Sequence, residues 1–215
     1  VLAEVLKSEG YQVETIPLDN AVMWQTVANG NADVSTSAWL PVTHSEQYKK
    51  YEQDLVDLGV NLEGTKLGLA VPTYMTNVNS ISDLVQYANQ QITGIEPGAG
   101  IMKAAEQTLL DYDNLSDRSL IATSTGAMTT ALDQAIQKEE EIVITAWSPH
   151  WMFAKYDLKY LEDPQETFGS AENIHTIARH GFEEDQPEAF AIVDAFEWTQ
   201  ADMEAVMLDI NQGMS

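Results

Sequence analysis

Two of the five tryptophans in this 215-residue chain are followed by proline within two residues. Trp39 lies in Ala38-Trp39-Leu40-Pro41, and Trp147 ends an apolar run that leads into Ser148-Pro149. Because proline cannot continue a sheet ladder, each tryptophan is predicted at the carboxyl end of a strand, where α/β proteins bind ligands. Trp24, which follows Met23, is a third tryptophan in a comparable apolar setting.

The indole ring is the strongest aromatic face for a cation and contributes roughly 0.5–2 kcal/mol per contact when desolvated. We therefore predict that Trp24, Trp39 and Trp147 converge as a cage for a quaternary ammonium group. The alternative is ordinary packing, which is the more frequent role of a tryptophan within a helix. Trp151 and Trp198 are interpreted as packing residues.

A glycine-rich segment, Pro97-Gly98-Ala99-Gly100-Ile101, follows a predicted strand and opens a predicted helix. The backbone N–H groups of Gly100 and Ile101 would then lie at a helix N-terminus, which favours negative charge. The segment lacks the third glycine of a dinucleotide fingerprint, and a tight strand-to-helix turn explains it equally well. Together with a cation cage, it predicts a zwitterionic ligand with an ammonium group and a carboxylate.

His44, five residues after Trp39, is a candidate donor of a hydrogen bond to that carboxylate. Its position also fits an ordinary histidine at the surface or at the start of a helix. The other histidines lack the spacing of a metal site, so neither a metal nor another cofactor is predicted. The sequence has neither a nucleophile elbow nor a phosphate loop, and no catalytic residue is predicted.

Acidic residues dominate the charge, with 34 Asp and Glu against 10 Lys and Arg and a formal net charge of −24. Such a chain repels phosphate backbones and anionic membrane surfaces, which argues against nucleic-acid binding. The excess charge serves either solubility in general or life in high salt, where screening weakens the repulsion. The absence of cysteine excludes disulfides and thiolate metal sites.

The elements that would position these residues alternate between strands and helices. Strands are predicted at 11–18, 33–38, 92–95, 120–123 and 142–145, and helices at 1–9, 21–28, 45–53, from 101, at 127–138 and beyond 187. This alternation indicates an α/β architecture with parallel sheets. Two extended segments, near 66–72 and 156–163, are predicted to cross between the lobes of a two-lobed protein.

Six stretches carry a resemblance to a known family: Met23-Trp24, Ser37 to Pro41 with His44, Gly94 to Met102, Thr145 to Trp151, Leu158 to Pro164, and Glu172 to Ile177. They resemble the substrate-binding proteins of ATP-binding-cassette importers for glycine betaine, and the resemblance covers nearly the whole chain. It implies that residues matching Trp24, Trp39 and Trp147 box the trimethylammonium group. It also implies that backbone amides matching Gly100 and Ile101, with a histidine matching His44, hold the carboxylate.

The fold implied by the resemblance is a type II-like, two-lobe periplasmic-binding-protein clamp. Lobe 1 is expected to comprise 1–70 with 162–215, and lobe 2 to comprise 73–156, with hinge segments near 66–72 and 156–163. Relatives with this lobe order begin with a strand and a loop, so we expect lobe 1 to lack its first strand here. A secretion signal or lipid anchor is likewise expected outside this sequence.

The resulting hypothesis is a monomeric extracytoplasmic protein, periplasmic or anchored at the cell surface. It would capture glycine betaine or a related methylated onium zwitterion and deliver it to a membrane permease. A ligand-binding sensor domain of a membrane receptor is an alternative with the same site. An enzyme acting on a quaternary amine is a third hypothesis, but it would need a nucleophile, metal or cofactor motif that the sequence lacks.

Overall fold

The computed structural model describes residues 1–87 and 90–213 of the chain. These residues form two compact units. Unit 1 comprises Val1–Thr65 and Glu172–Val206, and unit 2 comprises Lys66–Ala171 with the described residues from Met207. Each unit combines helices with a sheet, which confirms the predicted α/β class.

The helices are α1 (Leu2–Ser8), α2 (Asn20–Ala28), α3 (Ser45–Tyr51), α4 (Gly100–Asp111), α5 (Thr125–Lys138), α6 (Trp151–Lys155), α7 (Phe182–Asp185), α8 (Pro187–Asp194) and α9 (Gln200–Asn211). The strands are β1 (Val34–Leu40), β2 (Leu55–Pro72), β3 (Gln91–Thr93), β4 (Ser119–Ile121), β5 (Ile144–Ser148), β6 (Leu158–Tyr160) and β7 (Glu172–Arg179). Short 3-10 helices cover Ile81–Gln86 and Asp113–Leu115.

Unit 1 is built on an antiparallel arrangement in which β7 lies between β1 and the first part of β2. Trp39 of β1 pairs with Ile174 of β7, so the end of β1 is held against the start of β7. The helix α2 packs its buried residues Trp24 and Val27 into a core that includes Ile177. The expectation of parallel sheets is therefore wrong for unit 1, because its strands pair through long-range antiparallel ladders that local periodicity does not reveal.

Unit 2 contains the parallel pairing. The short strand β3 pairs in parallel with β4 on one side and with β5 on the other, and the second part of β2 pairs antiparallel with β5 and β6. Buried residues of α4 and α5, such as Met102 and Leu132, pack with β5 in one apolar core. Ser124 caps α5 by accepting a hydrogen bond from the backbone N–H of Ala127, as its residue type predicts.

Residues 11–18 differ from the prediction. Their alternating pattern predicts a strand, but they form an irregular segment between α1 and α2, and its second half is exposed. A strand is stable only when a neighbour completes its ladder, and no described strand pairs with these residues. The predicted strand is therefore wrong in this structure.

The short strand β6 pairs with the end of β2 inside unit 2, which extends to Ala171. The lobe bounds and the hinge segments near 66–72 and 156–163 stay predictions. Leu161 and Phe168 are likewise buried in the core of unit 2. None of the helices in the described part of the chain has the length and apolar character needed to cross a membrane.

Candidate functional site

Trp39 and His44 are joined by a closed loop at the end of β1 in unit 1. Trp39 is the penultimate residue of β1, as predicted, and the peptide bond between Leu40 and Pro41 is cis. The backbone N–H of Trp39 donates to Nδ1 of His44 over 2.8 Å, and the backbone N–H of His44 donates to the carbonyl oxygen of Trp39 over 2.9 Å. This reciprocal pair explains why the histidine follows the tryptophan at a spacing of five.

Trp24 reaches the same histidine from α2. Its ring centroid lies 5.9 Å from that of His44, in an edge-on arrangement at 85°. Trp24 has no exposed surface, and its indole nitrogen has no hydrogen-bond partner among the described residues. Trp39 is half-buried in contrast. Unit 1 therefore brings Trp24, Trp39 and His44 together.

His44 is neutral in this setting. It is 6% exposed, and burial lowers the pKa of its imidazole to about 4. Because Nδ1 accepts a hydrogen bond, the single proton of the neutral ring must be on Nε2. That nitrogen lies 2.8 Å from the carboxamide of Asn20. His44 can therefore donate from Nε2, and its predicted hydrogen bond to a ligand carboxylate stays a prediction.

Glu172 holds the loop between Trp39 and His44 in place. The carboxylate of this first residue of β7 accepts hydrogen bonds from the backbone N–H groups of Val42, at 3.0 Å, and Thr43, at 2.9 Å. It also accepts a hydrogen bond from the hydroxyl of Thr43. Glu172 is 4% exposed, so these donors rather than water stabilise its charge. The loop is thereby fixed to a strand that starts about 130 residues later in the chain.

The glycine-rich segment lies in unit 2, between β3 and α4. Gly98 adopts φ +90, a left-handed conformation that glycine accommodates without strain, and α4 begins at Gly100. The N-cap residue Ala99 has no side-chain oxygen, so it cannot pair with the first N–H groups of the helix. Neither Gly100 nor Ile101 donates a backbone hydrogen bond to a described residue. Both N–H groups are thus free to bind an acceptor.

Trp147 is the penultimate residue of β5, as predicted, and is half-buried. Its ring stands edge-on to that of His150, with centroids 4.7 Å apart, and His150 packs in turn on Trp151 at 5.3 Å. Nδ1 of His150 accepts a hydrogen bond from the backbone N–H of Met152, and burial lowers the pKa of His150 to about 4. A neutral, fixed imidazole therefore supports one edge of Trp147.

The six predicted site residues divide equally between the units. Trp24, Trp39 and His44 belong to unit 1, and Gly100, Ile101 and Trp147 belong to unit 2. Within unit 2, β3 and β5 are parallel neighbours, so the glycine-rich segment and Trp147 both lie at the carboxyl edge of the same sheet. Trp24 and Trp39 belong to one unit and Trp147 to the other, and each unit is described by itself. The three-tryptophan cage therefore stays a prediction. Among the residues described, no group of acidic and histidine side chains is arranged to hold a metal ion.

The family model for OpuAC, described as the substrate binding domain of an ABC-type glycine betaine transport system, matches residues 1–215. The chain belongs to this family. The resemblance found from the sequence motifs is thereby confirmed.

Two curated relatives match part of this OpuAC-family chain. The glycine betaine/carnitine transport binding protein GbuC of Listeria monocytogenes is 46% identical over 146 residues, which are 67% of this chain and 49% of GbuC. An uncharacterized protein, ORF1, of Chromohalobacter salexigens is 34% identical over 102 residues, which are 45% of this chain and 66% of ORF1. The chain thus spans about half of GbuC and two thirds of ORF1.

Solved structures share the fold of this family member over its whole length. Lactococcal OpuAC, in its closed-liganded conformation complexed with glycine betaine, is 58% identical, with a TM-score of 0.94 over 100% of this chain and 84% of that one. ProX from Borrelia burgdorferi is 33% identical, with a TM-score of 0.90 over 99% of this chain and 81% of that one. The two-lobe clamp fold predicted from the sequence is the fold of these proteins.

Sequence reasoning missed two polar residues that surround His44. Glu172 enters the sequence analysis only within a stretch that resembles the family, since no local signal links a glutamate to a loop so distant in the chain. Asn20 carries no sequence signal of a site role, and its carboxamide faces the imidazole. Both residues lie far from His44 in sequence and near it in space, so only the fold reveals them.

Proposed function

We propose that this chain is the ligand-capturing part of an ABC importer for glycine betaine or a closely related methylated onium zwitterion. The observation that carries the proposal is the match of the whole chain to the OpuAC family model, supported by 58% identity to a protein solved with glycine betaine. The site residues support it chemically, since aromatic faces suit an onium cation and free helix N–H groups suit a carboxylate.

In the proposed complex, Trp24, Trp39 and Trp147 surround the methylated cation. Trp39 and Trp147 are half-buried, whereas the ring of Trp24 is fully buried and would have to become accessible when the ligand binds. The N–H groups of Gly100 and Ile101 and the Nε2–H of His44 bind the carboxylate. Because these residues belong to different units, a bound ligand would contact both units and favour a closed arrangement of the two predicted lobes. The hinges near 66–72 and 156–163 are part of this proposal.

The remaining parts of the proposal concern the setting of the protein. It would work outside the cytoplasm as a monomer and deliver its ligand to a membrane permease. It would perform no covalent chemistry, so we expect the ligand to be recovered unchanged after incubation with the protein.

Isothermal titration calorimetry with glycine betaine, proline betaine, carnitine, choline and dimethylsulfoniopropionate tests the proposal. We expect saturable binding with a stoichiometry of about one for at least one zwitterion of this panel. Circular dichroism on the same sample establishes that the protein is folded. A folded protein that binds none of the five ligands would contradict the proposal.

A further inference from the structure

The side chain of Glu96 joins the turn that precedes α4 to the start of α5. Its carboxylate accepts hydrogen bonds from the backbone N–H of Thr125, at 3.1 Å, and from the hydroxyl of the same residue, at 3.0 Å. Thr125 is the first residue of α5, so the carboxylate lies at the positive end of a 14-residue helix. A charged acceptor at a helix N-terminus forms a stronger contact than a hydrogen bond between neutral groups.

The loop before α5 also contacts the two residues that precede Glu96. The hydroxyl of Thr123 donates to the carbonyl oxygen of Gly94 over 2.6 Å, and the backbone N–H of Thr123 donates to the carbonyl oxygen of Ile95 over 3.0 Å. The chain after β3 is thus bonded to the chain after β4 at three successive residues. Glu96 extends this connection to the residue at which the turn begins.

Glu96 is the first residue of the tight turn that leads into α4. Its carbonyl oxygen accepts a hydrogen bond from the backbone N–H of Ala99 at 3.4 Å. This bond closes a turn over Pro97 and Gly98. A proline at the second position and a glycine with φ +90 at the third are the residues that a type II turn favours. Gly100 follows directly, so the position of the turn determines where α4 starts.

The turn needs an anchor at its first residue. Pro97 restricts the backbone because its ring fixes φ, but Gly98 has more conformational freedom than any other residue type. An anchored Glu96 limits the movement that this glycine would otherwise allow. The direction of the first N–H groups of α4 therefore depends on the contact between Glu96 and Thr125.

We propose that Glu96 is a positioning residue of the proposed site, and that its contact with Thr125 directs the N–H groups of Gly100 and Ile101 at the carboxylate of the ligand. Glu96 acts through the turn and does not itself contact the ligand. This inference rests on the proposed function, because it takes these two N–H groups as the donors that bind the carboxylate.

The sign of the effect separates positioning from direct electrostatics. A glutamate near an anion-binding site repels the anion, so a purely electrostatic role predicts that removal of the Glu96 charge strengthens the binding of glycine betaine. A positioning role predicts weaker binding, since donors that are no longer held in place lose part of their hydrogen bonds to the carboxylate.

Titration calorimetry with glycine betaine and choline tests the inference on the wild type and three variants. We expect Glu96→Ala to raise the Kd for glycine betaine roughly tenfold. Choline has the same trimethylammonium group without a carboxylate, so its Kd should change by less than about twofold. Glu96→Gln should retain most of the affinity, because its side-chain carbonyl oxygen still accepts from the N–H of Thr125.

Asp202→Ala is the matched control. Asp202 accepts from the backbone N–H of Thr199 at 3.1 Å and from its hydroxyl at 2.6 Å, the same pair of donors that Glu96 contacts. It belongs to unit 1, whereas the turn belongs to unit 2. Asp202→Ala should therefore leave the Kd for both ligands unchanged.

A Glu96→Ala variant that binds glycine betaine as tightly as the wild type, or more tightly, would overturn the inference and leave the proposed function intact. Equal weakening for glycine betaine and choline would also overturn it, because the loss would then not be specific to the carboxylate donors. A folded wild-type protein that binds no ligand of the panel would overturn both the inference and the proposed function.

Two further measurements decide the question if the wild type does not bind choline or Glu96→Ala does not fold. In the first case, ¹⁵N order parameters of the Gly100 and Ile101 amides should fall in Glu96→Ala and stay at wild-type values in Asp202→Ala. In the second, Thr125→Val removes only the hydroxyl that donates to Glu96 and should raise the Kd for glycine betaine about two- to fivefold. Unchanged order parameters, or an unchanged Kd in Thr125→Val, would overturn the inference.

Discussion

Trp147 combines an exposed aromatic surface with a rigid support. Its ring is half-buried at the end of β5 and rests against His150, whose imidazole is itself fixed by a hydrogen bond from Met152. A ring held in this way loses little conformational entropy when a ligand binds to its face. Trp147 is therefore the residue at which aromatic recognition of the cation can be tested most directly.

We predict that Trp147→Ala raises the Kd for glycine betaine by roughly 10- to 100-fold, through loss of a cation–π contact and of buried aromatic area. Trp147→Phe and Trp147→Leu are matched to separate these contributions, since both fill space but only phenylalanine presents a π face. In titration calorimetry, Trp147→Phe should bind glycine betaine more tightly than Trp147→Leu. Equal affinities for the two would show that apolar contact alone explains the role of Trp147.

His44 and His150 make stability depend on pH in a predictable direction. Burial lowers the pKa of each ring to about 4 in the folded chain, whereas the ordinary value is 6.5. Between these values the unfolded chain binds protons that the folded chain excludes, so stability falls as the pH drops from 6.5 towards 4. Across this range, each histidine should lower the free energy of unfolding by an amount on the order of 2–3 kcal/mol.

Urea unfolding of wild type and His150→Gln at pH 7.5 and pH 5 measures this effect. The carboxylates titrate similarly in both proteins, so their contribution cancels in the comparison. From pH 7.5 to pH 5, the unfolding free energy of the wild type should fall by about 2 kcal/mol more than that of the variant. Identical losses would mean that His150 is protonated as readily in the folded as in the unfolded chain.

At the scale of elements, the loop after β1 depends on a residue of β7. Glu172 accepts from the N–H groups of Val42 and Thr43 and from the hydroxyl of Thr43, so one carboxylate satisfies three donors. The loop it holds connects Trp39 with His44. Displacement of this loop would move both residues together, which makes Glu172 a positioning residue of the proposed site.

We predict that Glu172→Ala weakens glycine betaine binding at least tenfold and lowers the unfolding free energy by about 2–4 kcal/mol, because it leaves two backbone donors without a partner. Thr43→Val, which removes only the hydroxyl, should have a smaller effect on both. Hydrogen exchange gives a direct readout, since the Val42 and Thr43 amides should exchange faster in Glu172→Ala. Unchanged exchange together with unchanged affinity would exclude the positioning role.

The sequence predicts those elements whose signals are local. Local sequence patterns locate α2 and α5, which are predicted at 21–28 and 127–138, and the prolines after Trp39 and Trp147 locate the ends of β1 and β5. The prediction fails where the formation of a strand depends on pairing with a distant strand. Residues 11–18 have the alternating pattern of a strand, but no described strand pairs with them. The 18-residue β2 is predicted only near 66–72, because its full extent depends on pairing with β7 and β5.

The candidate site shows the same boundary between local and long-range information. The spacing of Trp39 and His44 is local, and the structure explains it by a pair of hydrogen bonds. The contacts of His44 with Asn20 and of Glu172 with Thr43 join residues 24 and 129 positions apart. Such contacts follow from the fold, so no pattern within one element could predict them.

At the scale of the whole molecule, the excess of negative charge is the dominant feature. The chain has 34 acidic but only 10 basic residues, so most carboxylates cannot have a basic neighbour of their own. Arg179 already pairs with both Asp33 and Asp185, and Lys155 pairs with Asp133. Repulsion among the remaining carboxylates is greater in the compact folded chain than in the expanded unfolded chain, and it therefore lowers stability.

We predict that added NaCl stabilises the protein by screening this repulsion. The Debye length falls from about 14 Å near 0.05 M to about 6 Å near 0.3 M, so most of the effect should occur below about 0.3 M. The melting temperature should rise by roughly 2–8 °C over that range, which corresponds to about 1–2 kcal/mol for a chain of this size. Scanning calorimetry in NaCl and in KCl at matched ionic strength measures it, and screening requires the two salts to act equally. A melting temperature that is flat below 0.3 M and rises only in molar salt would instead indicate preferential exclusion of salt from the surface.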